Sequence, residues 1–134
     1  MIGIRAGART FGAVLLLTAL VSCGGKGREG DRSTNLEVFT PEQIFERGEF
    51  ELARNRTGDA AYYFSEIERL YPYSSWAQQA LVMQAFAYHQ GKDYQSSRGA
   101  AQRFIDFYPT DEDAAYAQYL LALSYYDQID EVGR

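Results

Sequence analysis

The sequence predicts an all-α protein: a solenoid of paired helices, about two and a half repeats long, behind an N-terminal leader and a flexible tether. Three observations carry this. Apolar residues recur at spacings of three and four from Pro41 onward. Tyr-Pro pairs, Gly and Asp punctuate that pattern at near-regular intervals. The first forty residues carry instead a basic start, a short apolar run and then glycine and charge.

The chain has 134 residues, the size of one domain. Residues 1–10 contain Arg5 and Arg9 and no acid, and Phe11 to Val21 is almost wholly apolar. A basic segment followed by a short apolar one is the pattern of a secretory signal. The apolar run is shorter than the ~20 residues a membrane span needs. It ends in Leu20-Val21-Ser22-Cys23, which resembles the bacterial lipobox. In that motif the cysteine thiol receives a diacylglycerol, the signal is cut between Ser22 and Cys23, and the new amine is acylated, here with palmitate. Gly24 follows, where an Asp would resemble an inner-membrane retention signal, and this favours the outer membrane.

Three segments are expected: a signal peptide at 1–22, a lipidated tether at 23–40, and a helical repeat domain at 41–134. The tether is rich in glycine and charge. Its glycines follow no strand and no Gly-Lys-Ser/Thr closes them, so they are not a phosphate loop. Without the two leader arginines the net charge falls from −5 to −7. Such a surface lacks the basic patch that nucleic acid requires. Cys23 is the only cysteine and His89 the only histidine. That excludes internal disulfides and cysteine-pair zinc sites, and no cofactor is implied.

The helices follow in order. Thr40 is suited to cap a first helix, Pro41 to open it and Gln43 to complete a capping box. That helix is predicted over about Pro41 to Arg56, with Thr57-Gly58 as its break. Asp59 is the expected cap of a second helix, Ala60 to Leu70, ended by Tyr71-Pro72-Tyr73-Ser74. A third spans Ser75 to Gln90 and stops at Gly91. Asp93 caps a fourth that runs to Phe107 and ends at Tyr108-Pro109. Asp111 is expected to cap a fifth, Glu112 to about Gln128.

These pieces repeat. Asp59 lies 34 residues before Asp93, and Tyr71-Pro72 lies 37 before Tyr108-Pro109. A shift of 37 also lays Ala77, Ala80, Ala85 and Tyr88 on Ala114, Ala117, Ala122 and Tyr125. A period in this range, built from two helices, is the tetratricopeptide signature. Ala85 and Ala122 fall where paired helices approach closely. The first repeat is read as irregular, with a second helix about three residues short.

In such arrays the first helices of successive repeats line a concave face that accepts an extended peptide or a partner helix. The register places Gln79, Val82, Phe86 and His89 on that face, and Tyr116, Tyr119, Leu123 and Tyr126 one repeat later. The competing reading makes them core. No nucleophile and base, and no metal-ligand set, emerges. His89 reads as a groove or helix-end residue, and Ser74-Ser75 and Ser96-Ser97 as helix-start or surface residues. Asp111-Glu112-Asp113 reads as an acidic helix start, favoured by the helix dipole.

Three ordered stretches, Tyr71 to Ala77, Phe104 to Pro109 and Ala115 to Ile129, resemble the BamD family, especially its alphaproteobacterial members. The likeness runs from about Thr40 to the end, and the lipobox adds to it. The resemblance implies a non-enzymatic lipoprotein scaffold on the periplasmic side of the outer membrane. It implies unfolded β-barrel proteins as substrates, and BamA and other assembly-machine subunits as partners. Members of the family are about twice this length, so the BamA-docking half is expected to be missing and the chain to be an N-terminal fragment. A second reading is a periplasmic tetratricopeptide adaptor of the Tol–Pal type. Those adaptors usually carry a coiled coil before the repeats and lack a lipobox, the reverse of this sequence. A third, an envelope hydrolase, has too few chemical groups to build on.

Overall fold

The computed structural model describes residues 35–133, apart from the side chains of 130–132. The leader, Ser22, Cys23 and the tether up to residue 34 lie outside the described residues. A 3₁₀ turn at Leu36–Val38 precedes α1 (Pro41–Ala53), α2 (Thr57–Leu70), α3 (Ser75–Gln90), α4 (Tyr94–Phe107) and α5 (Ala114–Val132). There is no strand among the described residues. Each helix packs on the next, and α3 also touches α1 and α5 more lightly. Short connections make neighbours antiparallel. The array is therefore two helix pairs and a half, as the sequence predicted. No described helix is long and apolar enough to cross a membrane.

Local chemistry places most of the ends. The Thr40 hydroxyl accepts from the Gln43 amide at 3.3 Å, and the Gln43 side chain accepts from the Thr40 amide at 3.0 Å. This is the expected capping box. Ser74 caps α3 through the Ala77 amide, and Asp93 caps α4 through the Ser96 amide.

Thr57 and Gly58 do not break the first helix; they open the second. The break is two residues earlier, at Asn55, whose φ of 58° is left-handed. Asn tolerates that region because its short polar side chain bonds locally. Asp59, expected as a cap, lies in the first turn of α2 and is buried. The corresponding left-handed residue in the next repeat is Lys92, φ 64°, rather than Gly91. Gly91 is needed for space: a Cβ there would meet the Thr57 hydroxyl at 2.4 Å.

Asn55 and Lys92 are 37 residues apart, and α2 and α4 are both 14 residues long. Tyr71 and Tyr108 end them with matching dihedrals, −133°/54° and −131°/54°. The period is thus 37 in both repeats. The first repeat is not short, and the 34-residue spacing of Asp59 and Asp93 is coincidental.

The fifth helix also differs. It begins at Ala114, not Glu112, because Asp111 is used in the preceding turn. Its carboxylate accepts from the Asp113 amide at 2.9 Å and from the Gln78 side chain of α3. At the far end, Ile129 occupies the place of Asn55 and Lys92. A β-branched residue resists the left-handed region, so α5 runs on to Val132.

Two apolar clusters form the core. One joins Leu36, α1, α2 and the α2-facing side of α3; the other joins α3, α4 and α5. The pairs are fitted by size. A Cβ on Gly48 would lie 2.6 Å from the Phe64 ring, which is fully buried. The positions 37 later are Ala85 and Ala101, both fully buried. The first repeat sets a large side chain against none, and the second sets two methyl groups at the corresponding positions. Within residues 35–40, assigned by composition to the tether, Leu36 and Phe39 pack on this core. Leu36 is buried, and the Tyr71 hydroxyl donates to the Phe39 carbonyl at 2.6 Å.

Two outcomes test this packing. Gly48→Ala gains about 1 kcal/mol of helix propensity but overpacks Phe64 by about 1–3 kcal/mol. We expect net destabilisation in urea unfolding; a gain in stability would refute the close approach. Ser97 and Ser124 are fully buried, with Ser97 donating to the Ala85 carbonyl and Ser124 to Ser97, both at 2.9 Å. Ser97→Ala should cost about 1–3 kcal/mol by orphaning the Ser124 hydroxyl, and Ser97→Ala/Ser124→Ala less than the sum of the single changes. Additive losses would show that the hydroxyls are not coupled.

Candidate functional site

The candidate surface lies on α3 and α5, the first helices of the second and third pairs. Apolar residues occur on almost every side of α3, so several of its faces compete for the core. Val82 is only 6% exposed and belongs to the core cluster with Leu81 and Ala85. It offers no side chain to a ligand. Phe86 is half-buried against the same cluster, and Gln79 is exposed. Leu123 of α5 is half-buried.

The three α5 tyrosines assigned to this face are open. Tyr116, Tyr119 and Tyr126 are 40%, 57% and 69% exposed. The rings of Tyr116 and Tyr119 are stacked, with centroids 6.2 Å apart and planes 26° from parallel. Partial burial pushes the Tyr116 phenol above its ordinary range, and Tyr119 adds to the shift. Tyr116 is therefore neutral at physiological pH and keeps a proton to donate. The surface is a row of amphipathic rings with polar tips, suited to apolar side chains and peptide carbonyls alike.

His89 is held rather than free. Its Nε2 lies 3.0 Å from the Asp127 carboxylate, and its ring lies against Tyr94 with centroids 5.5 Å apart. The contact ties the end of α3 to α5 and fixes the spacing of the face between them. Two of the serines weighed for chemistry have structural roles. Ser74 donates to the Tyr71 carbonyl at 2.8 Å while capping α3, and Ser97 is internal rather than superficial. Among the described residues, no group of three or more His, Cys, Asp or Glu is placed to hold a metal.

Sequence reasoning overlooked two features. Ala122, expected beneath a paired helix, is exposed, as are Tyr125 and Ile129 beside it. Arg98 reaches across from α4 to this end of α5: its guanidinium lies 4.6 Å from the Tyr125 ring centre and donates to Gln128 at 2.6 Å. The second is at the opposite end. Arg47 lies over Phe39 at 4.2 Å, and Arg54 over Phe50 at 5.1 Å. Gln43, Arg47, Phe50 and Arg54 share one stripe of α1 by their spacing, a helical periodicity visible in the sequence.

The sequence is similar to those of known proteins. The family model described as YfiO, outer membrane lipoprotein, matches residues 38–134. The outer membrane protein assembly factor BamD of Caulobacter vibrioides is 35% identical over 125 residues, covering 93% of this chain and 40% of that protein. The protein of the same name from Rickettsia prowazekii is 30% identical over 120 residues, 90% of this chain and 47% of its own length. That from Xylella fastidiosa strain 9a5c is 26% identical over 110 residues, 82% and 37%. The chain thus spans less than half the length of these curated relatives. With most of its length matched, from the 3₁₀ turn through all five helices, the chain belongs to the YfiO family of outer membrane lipoproteins, which is also the family of the BamD assembly factors.

Proposed function

We propose that this protein is a lipid-anchored, non-enzymatic scaffold that helps deliver β-barrel proteins into the outer membrane. The observation that carries the reading is an exposed, pre-stacked tyrosine face on a helical array of an assembly-factor family. An extended segment of an unfolded barrel protein lies across α3 and α5. Its apolar side chains rest on Tyr116, Tyr119, Phe86 and Tyr126. Its backbone groups meet tyrosine hydroxyls and the Gln79 amide. Stacking Tyr116 on Tyr119 beforehand lowers the ordering cost of capture. Aromatic contact without a charge requirement suits many barrel sequences.

Cys23 supplies the address. With an S-diacylglycerol and an N-palmitoyl group, it holds several acyl chains in the outer membrane, and each buried CH₂ contributes about 0.8 kcal/mol. The described domain then faces the periplasm. BamA and the other assembly subunits are the protein partners of this reading. The relatives' shared name favours it over a Tol–Pal adaptor.

Three outcomes follow. Tyr119→Ala should raise the Kd for a peptide from the last strand of a barrel protein about tenfold, on the order of 1.4 kcal/mol, in fluorescence anisotropy. Its stability should change by no more than ~0.5 kcal/mol, because the side chain is exposed. Val82→Ala should do the reverse, losing on the order of 2 kcal/mol of stability with little effect on Kd measured on folded protein. Unchanged affinity in Tyr119→Ala would remove the groove from the mechanism. Radioactive palmitate should label the cell-made protein and be absent from Cys23→Ala; persistent labelling would place the acyl chain elsewhere. Affinity purification of the lipidated, full-length protein, with the docking half that this chain is expected to lack, should recover BamA. Tol–Pal proteins without BamA would overturn the assembly role.

A further inference from the structure

The edge of α1 that faces away from the rest of the array has no helix on it among the described residues. By the 37-residue period, Gln43, Arg47, Phe50 and Arg54 correspond to Ala80, Gln84, Ala87 and Gly91 of α3. In α3, Ala80 and Ala87 are fully buried and belong to the cluster that α2 helps to form. In α1 the same stripe borders an open cleft of about 310 Å³, lined by Phe39, Gln43, Glu46, Arg47 and Phe50. Phe50 is 58% exposed, and Val38, beside Phe39 on the 3₁₀ turn, is 73% exposed.

Interior positions of a solenoid exchange polar groups for small apolar ones, and terminal faces do the opposite. This terminal face is polar only in part. It keeps two phenyl rings and lays an arginine on each. Apolar rings with long cationic side chains lying over them are the arrangement of an interfacial membrane contact. There the rings enter the acyl boundary while the guanidinium groups reach the headgroups. Glu46 in the same cleft offsets one of the two positive charges. The set matches a zwitterionic headgroup, phosphate to arginine and ammonium to glutamate, better than a uniformly anionic surface. The face is also at the end of the domain where the anchor joins. Only 12 positions separate Cys23 from Asn35. Whatever their arrangement, those residues span at most roughly 40 Å. The acyl chains therefore hold this edge, more than any other, within reach of the bilayer.

We infer that the Val38, Phe39 and Phe50 edge of α1 seats directly on a zwitterionic phospholipid surface and orients the array beneath it. The inference rests on the anchoring of Cys23 proposed above. Orientation matters because a chain held only by a flexible tether tumbles, whereas a seated edge points the tyrosine face in one direction.

The test uses the intact mature chain, in which Cys23 is the sole thiol. That thiol is coupled to maleimide-bearing lipids in phosphatidylethanolamine–phosphatidylcholine vesicles, and a control chain is capped with N-ethylmaleimide. Amide hydrogen exchange is then compared. Exchange at residues 36–43 should slow about threefold or more on vesicles, with α5 unchanged. Val38→Ser/Phe50→Ser should abolish the slowing while keeping the thermal midpoint, since both side chains are exposed. Equal exchange on and off the vesicles, or slowing that survives in the double variant, overturns the inference and leaves the edge to a protein partner. Coupling supplies the anchor regardless of what the cell attaches. A failure of natural acylation would thus overturn the anchoring reading by the palmitate label, while the vesicle comparison still decides this surface.

Discussion

The array depends on how closely the two helices of a pair approach. In the first pair Gly48 lies against the buried face of Phe64, so near that even a methyl group would collide with the ring. That contact lets one aromatic side chain fill the space between α1 and α2, and it sets the surface on which α3 is laid. Interiors are close-packed, so the spacing of one pair is passed to the next. The second pair reaches similar burial with Ala85 and Ala101. The two pairs fill corresponding positions with different side chains while the 37-residue period is kept.

Further along, polar contacts take over part of this task. Ser97 and Ser124 carry a line of hydroxyls from the Ala85 carbonyl through α4 to α5. Arg103 of α4 donates to Glu68 of α2 and to the buried Gln84 of α3, each at 3.0 Å. The Glu68 pair is partly exposed and by itself contributes about 0–1 kcal/mol. Its bond to Gln84 matters more, because an unpartnered amide at that depth costs more than an exposed ion pair returns. His89 and Asp127 complete the set by joining α3 to α5. Together these contacts tie α2, α3, α4 and α5 to one another.

The two ends of the array are unlike. The first is folded in upon itself: the 3₁₀ turn buries Leu36, Tyr71 grips the Phe39 carbonyl, and arginines cover two phenyl rings. At the other end α5 leaves Ala122, Tyr125 and Ile129 exposed, with Arg98 over only one of them. The first end keeps Val38 and Phe50 open beside its arginines, and the last described helix leaves aromatic and aliphatic side chains open in turn.

Much of this was written in local chemistry. The capping box at Thr40, the bounds of α3, the Tyr-Pro helix ends and the 37-residue shift all follow from residues within a turn or two of one another. Such short-range preferences act before any tertiary contact forms. The break at Asn55 was less legible, because Thr57-Gly58 is the stronger breaker by composition and only the backbone reveals which residue turns left-handed. The interior side of α1, α2 and α4 follows their apolar spacing, but that of α3 was not legible. On α3, apolar from almost every direction, Val82 and Phe86 are equivalent in character, yet Val82 is buried and Phe86 is half open. Likewise Ser97 reads as a surface serine until α3 and α5 close over it. Sequence alone determined that five helices form, in which order and with which recurrence. Tertiary structure decided which residues face inward, because burial depends on the neighbour that covers a face and not on the residue that carries it.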